Sequence, residues 1–261
     1  MHGSTVRTLL VRGMLAGLIA GLFAFGVAYV AGEPSVDASI AVEEAAAAKE
    51  AAAHPGHHEE EAELVSRDVQ STAGLATGVL VYGVALGGIA SLAFCFLLGR
   101  TGRFTPRATA ALTAGAAFVT VYLVPFLKYP ATPPAVGNPD TIGKRTTLFF
   151  LMILLSVLLG VAATIAGRRL APRLGNWNAT LVAGAGFVAA VVLACAFLPG
   201  NDDAVQAGFP AAVLWEFRMA ALAVQAVLWA VFGIAFGFLA ERALAMRGTE
   251  AAPRLTEAVQ S

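Results

Sequence analysis

GLATGVLVYGVALGGIASLAFCFLL, residues 74–98, carries no Asp, Glu, Lys or Arg. An uninterrupted apolar stretch of this length is enough for one helix to cross a hydrocarbon core of about 30 Å. Five more such runs occur, at about 9–31, 108–127, 146–167, 178–198 and 211–240. All are long and rich in Ala, Leu and Gly, whereas a membrane barrel needs short segments alternating in polarity. The expected fold is therefore all-α: a polytopic membrane helix bundle of about six transmembrane helices.

Composition agrees. Hydrophobic residues make up 58% and charged residues 13%, against roughly 25% charged in an ordinary soluble domain; the mean hydropathy is +0.74. Six spans and their connections consume nearly the whole chain, leaving no room for a separate soluble domain of ordinary size. Lys plus Arg equal Asp plus Glu at 17 each, so no basic surplus calls for a nucleic acid.

Basic residues resist translocation and mark the cytoplasmic side. Arg7, Arg12, Arg100, Arg103, Arg107, Arg168, Arg169, Arg173, Arg242, Arg247 and Arg254 fall on one side, 11 of the 17 Lys and Arg. Both termini of this multi-pass protein are expected there. Residues 1–243 form the membrane domain, with an outer loop at 32–73 and an outer Pro-rich loop at 128–145; residues 244–261 read as a flexible cytoplasmic tail. Residues 1–31 also fit a cleaved signal peptide, but the apolar run exceeds the usual 7–15 residues of such a core. It carries Gly13, Gly17 and Gly21, a small-residue stripe that lets helices approach closely in lipid. Gly74 and Gly78, Gly83 and Gly87, and Gly233 and Gly237 repeat the spacing. Cys95 and Cys195 are expected to be inert thiols too far apart for a disulfide.

The outer loop contains VEEAAAAKEAAA, residues 42–53, a spacer composition that favours helix. Pro55 and Gly56 then stop it. His54, His57 and His58, followed by Glu59, Glu60, Glu61 and Glu63, form a cluster suited to borderline divalent ions such as Co²⁺, Ni²⁺, Zn²⁺ and Cu²⁺. Binding there is expected to fade in acid as the imidazoles protonate. Such a cluster can collect an ion but cannot carry it across lipid.

Deeper candidates lie in two segments. VPFLKYPATPPAVGNPDTIGKRT, residues 124–146, has five prolines that forbid continuous helix; Lys128, Tyr129, Asp140 and Arg145 are its candidate residues, with Lys128 also fitting an ordinary helix-end role. GFPAAVLWEFRMAALAVQAVLW, residues 208–229, sets Glu216 roughly 9 Å beyond the helix start at Pro210. Ionisable groups inside a membrane are costly and mark function by default. Glu216 and Arg218 point to different sides of the helix, and each needs a partner; a structural ion pair with Lys128 or Arg145 is the plainer alternative. Arg218, Leu222, Gln225 and Trp229 share one stripe that is expected to face inward.

LLVRGMLAGLIAGLFAFGVAYVAGEP, the histidine loop with ELVSRDVQSTAGL, PFLKYPATPPAVGNPDTIGKRT and GFPAAVLWEFRMAAL together resemble the CbtA-type predicted cobalt transporter subunits, over about residues 6–243. The resemblance implies uptake of Co²⁺ across a bacterial cytoplasmic membrane to supply cobalamin synthesis, beside a small single-span CbtB-type partner. It maps the family's outer loop onto His54, His57 and His58, its Pro-rich block onto Lys128, Tyr129, Pro130 and Pro133, and its last hairpin onto Glu216 and Arg218. The family is described with five spans, where six are counted here. Residue chemistry alone leaves Ni²⁺ open. No cofactor is expected to be tightly bound, and no GxxxxGK[ST] phosphate loop is present. Two other classes remain. One is a membrane metal sensor or accessory subunit that binds Co or Ni without moving it. The other is a metalloenzyme, disfavoured because adjacent histidines beside a Pro-Gly break lack a preorganised site; the chain is read as a non-enzyme.

Overall fold

The computed structural model describes residues 3–53, 65–100, 102–133, 141–200, 205 and 209–260. Helix makes up 91% of it, and no strand occurs among the described residues, so the protein is all-α. The elements are α1 (Gly3–Val27), α2 (Glu33–Ala53), α3 (Arg67–Val69), α4 (Leu75–Leu97), α5 (Pro106–Ala117), α6 (Val124–Lys128), α7 (Ile142–Phe197) and α8 (Ala211–Gln260). Many large apolar side chains are exposed, among them Phe197 at 85% and Ile234 at 76%. Water cannot solvate such a surface at this density, and a bilayer can. The chain is a polytopic membrane protein.

Wider π-helical turns, Ala28–Gly32, Gln70–Gly74 and Phe118–Leu123, join α1 to α2, α3 to α4 and α5 to α6. Two of them have a covalent cause. Pro34 and Pro125 lack an N–H and crowd the carbonyl four residues back, which belongs to Val30 and to Val121, both inside a π turn. Widening the turn there lets the helix run on past the proline. Helix thus extends over Gly3–Lys49, through much of the segment read from sequence as an outer loop.

Five helices among the described residues are long and apolar enough to cross a membrane: Gly3–Lys49, Arg67–Leu97, Pro106–Lys128, Ile142–Phe197 and Ala211–Met246. The sequence has six apolar runs because α7 holds two. At Gly175 the backbone adopts φ +74°, ψ 161°, a conformation open to glycine and strained for residues with a Cβ. In a straight helix residues 167 and 183 would lie about 24 Å apart. Instead, a Cβ on Gly167 would sit 3.2 Å from that of Ala183, and one on Gly160 would be 4.0 Å from the Phe187 ring. The two arms of α7 therefore run antiparallel on either side of Gly175.

The chain divides into two compact units, residues 1–30, 63–115 and 223–261 in one and residues 31–62 and 116–222 in the other. The first is organised by glycine. A methyl group on Gly17 would overlap the Gly83 carbonyl, one on Gly87 would overlap that of Gly13, and one on Gly83 would lie 2.6 Å from the Gly17 oxygen. Only glycine permits this α1–α4 approach. Leu9, Ala16, Ala20 and Ala24 are fully buried in α1. Gly233 and Gly237 bring α8 onto α5: a Cβ on Gly233 would lie 3.0 Å from that of Ala114, and one on Gly237 would lie 3.3 Å from the Arg107 Cα. The Gly74/Gly78 pair does not follow, since a Cβ on Gly78 would meet nothing within 4 Å. Larger gaps are filled by rings: Phe94 meets Phe236 edge-on at 5.0 Å, and Phe232 stacks on Phe236 at 5.3 Å.

The second unit packs Val124, Tyr129, Leu148 and Met152 into a core with Phe187, Val191 and Cys195 against it. The fully buried Ser156 donates to the Thr120 carbonyl within the third π turn. Both cysteines are free thiols.

Candidate functional site

The Pro-rich segment starts where α6 ends. Tyr129 precedes Pro130, whose ring disfavours the helical region for the residue before it; Tyr129 accordingly leaves the helix at φ −127°, ψ 76°. Its side chain is 6% exposed, and its hydroxyl donates to the Pro199 carbonyl, just past the end of α7, at 2.9 Å. Burial raises the Tyr129 phenol above its ordinary value, with Cys195 acting in the same direction, so it remains a hydrogen-bond donor at neutral pH. Lys128 is half-buried with Nζ 5.8 Å from the Tyr129 ring centroid, a cation–π distance.

A second tether comes from α8. The Arg218 guanidinium donates from Nε to the Ala131 carbonyl at 3.2 Å. Proline-rich backbone has carbonyls with no helical or sheet partner, and Arg218 supplies one. Ala131 is thereby held from one side while Tyr129, two residues earlier, is held at Pro199. Arg145 is half-buried near the start of α7.

Glu216 is different. It is exposed beside Trp215, which is 63% exposed, and it makes no ion pair among the described residues. The structural pairing with Lys128 or Arg145 is therefore not formed. Residues 219–240 of α8 contain no charged side chain and span about 33 Å, close to the hydrocarbon thickness. Glu216 and Arg218 then fall at one boundary of the apolar stretch, where an exposed carboxylate reaches water and a Trp sits at headgroup level. Of the stripe read from sequence, Arg218, Leu222 and Gln225 are half-buried and Trp229 is buried.

Gln225 lies farther along α8, in the first unit. Its Nε2 donates to the Tyr82 hydroxyl at 3.5 Å, the limit of such a bond, while its Oε1 is buried without a partner. One turn on, the Trp229 Nε1 is likewise unpartnered; Trp229 lines a cavity of about 10 Å³ with Gly17, Gly83 and Gly87. Tyr82 escaped the sequence reading, because a partner 143 residues away leaves no local signal.

Among the described residues no group of three or more His, Cys, Asp or Glu is placed to hold a metal ion. His54, His57, His58, Glu59, Glu60, Glu61 and Asp140 lie outside the described residues.

The model of the CbtA family, probable cobalt transporter subunit, matches residues 6–241. The chain belongs to the CbtA family. The match takes in both tethers of the Pro-rich segment, Glu216 and the Gln225–Tyr82 pair. No curated protein and no solved structure matches the chain. Membership in CbtA makes the protein a probable cobalt transporter subunit, which implies partner subunits.

Proposed function

We propose that this chain imports Co²⁺ across the bacterial cytoplasmic membrane, with both termini on the inner side. The CbtA match over nearly the whole chain is the observation that carries this reading. His54, His57 and His58, with Glu59, Glu60 and Glu61, collect the ion outside. The ion then passes the Pro-rich segment. Asp140 and Glu216 attract it; Arg218 and Tyr129 hold the segment in place; Lys128 and Arg145 limit entry of further cations by repulsion. Gln225 offers a neutral oxygen deeper in the span, and a conformational step opens the route inward.

A small single-span partner of the CbtB type completes the transporter; this chain carries no GxxxxGK[ST] phosphate loop, so any ATP hydrolysis would be the work of another subunit. Radioactive cobalt uptake into vesicles, with and without the partner and under competition by Ni²⁺ and Zn²⁺, tests the reading. Saturable uptake supports it. Cobalt that binds without entering favours the alternative, a sensor or accessory subunit.

A further inference from the structure

Arg12, Arg107 and Arg242 each stand at one end of an uncharged run, 13–32, 108–127 and 219–240, each roughly 30 Å of helix. That length matches the hydrocarbon core, so all three guanidiniums belong at headgroup depth. Side-chain contacts gather them on a single stretch of α8. Arg12 of α1 donates to the Leu239 carbonyl at 2.6 Å. Arg107 of α5 pairs with Glu241 at 2.5 Å and lies 5.5 Å from the centre of the Phe238 ring. Arg242 lies over the same ring at 4.2 Å. The close α5–α8 approach at Gly237, where a Cβ would lie 3.3 Å from the Arg107 Cα, brings Arg107 within reach of Glu241 one turn further along.

Three permanent cations thus meet one carboxylate on residues 238–242, and the carbonyl that Arg12 engages neutralises nothing. Phe238 is 41% exposed, offering apolar surface beside the charges. We infer that this stretch binds the phosphate of an anionic phospholipid, with Arg242 and Arg107 on the phosphate oxygens and Phe238 against the glycerol and upper acyl chain. Guanidinium geometry matches phosphate, and arginine stays charged at every physiological pH. A zwitterionic lipid brings its own cation into the site and gains less.

The test uses the purified full-length protein in neutral detergent, titrated with phosphatidylglycerol, phosphatidylcholine or inorganic phosphate. Melting temperature and native mass spectrometry report binding. Phosphatidylglycerol is expected to bind saturably and raise the melting temperature, with the other two doing neither. Arg242→Gln is expected to weaken binding about fivefold. The double variant Arg107→Gln/Glu241→Gln, which leaves no carboxylate stranded, is expected to weaken it similarly, and Arg169→Gln, in the first arm of α7, to leave it unchanged. Equal binding of phosphatidylcholine, equal binding of inorganic phosphate, wild-type affinity in both the Arg242 and the double variant, or an equal loss in Arg169→Gln would each overturn the inference.

Discussion

Arg218 and Ala131 are 87 residues apart in sequence and joined by one hydrogen bond, Nε to carbonyl, at 3.2 Å. A charged donor on a backbone acceptor contributes about 1.5–3 kcal/mol when partly shielded from water, so this contact is a principal restraint on the Pro-rich segment. Arg218→Gln is expected to speed hydrogen exchange at the Ala131 and Thr132 amides and to lower uptake, while the α1–α4 crossing stays intact. Unchanged exchange at those amides would show that the tether carries no load.

Tyr129→Phe removes the bond to the Pro199 carbonyl at constant volume and is expected to cost about 1 kcal/mol. Because burial raises the phenol's folded-state pKa, the native contribution of this group is complete below its unfolded value near 10 and is lost as pH rises through the higher folded value. Thermal melts across that alkaline range are the measurement. The wild type should lose stability more steeply there than the Phe variant, and parallel curves would contradict the assignment.

The glycine crossing predicts a contrast between two substitutions of the same kind. Gly17→Ala drives a methyl into the Gly83 carbonyl and is expected to destabilise by about 1–3 kcal/mol, as overpacking does. Gly78→Ala meets open space and is expected to be neutral or slightly stabilising, because alanine favours helix. Melting temperatures of the two variants decide the matter.

Much of the membrane architecture is legible in the sequence, because a run such as 74–98 must satisfy a bilayer before it satisfies any neighbour. The Gly13–Gly17–Gly21 stripe is legible for a similar reason: absent side chains dictate close approach. What is not legible depends on distant partners. Gly83 and Gly87 meet another helix while Gly74 and Gly78, at identical spacing, do not. Hydropathy separates 146–167 from 178–198 but says nothing of a tight reversal at Gly175. The spacing of Arg218, Leu222, Gln225 and Trp229 indicates an inward stripe, yet neither the Ala131 carbonyl nor the Tyr82 hydroxyl can be named from it. Glu216 is the clearest case: its charge within an apolar run suggests a buried partner, whereas its exposure comes from which face of α8 is packed.

Capture and passage should separate kinetically. Replacing His54, His57 and His58 together by alanine is expected to reduce uptake mainly when external cobalt is scarce, whereas Glu216→Ala is expected to abolish it at every concentration. Normal uptake by the triple variant at scarce cobalt would remove the collector from the proposal.

The most direct measurement is entry of radioactive cobalt into sealed vesicles that contain the full-length protein and its partner subunit, compared with vesicles lacking this chain. The account predicts saturable accumulation in the first and background in the second. Identical cobalt content in both, with protein correctly inserted, would contradict it.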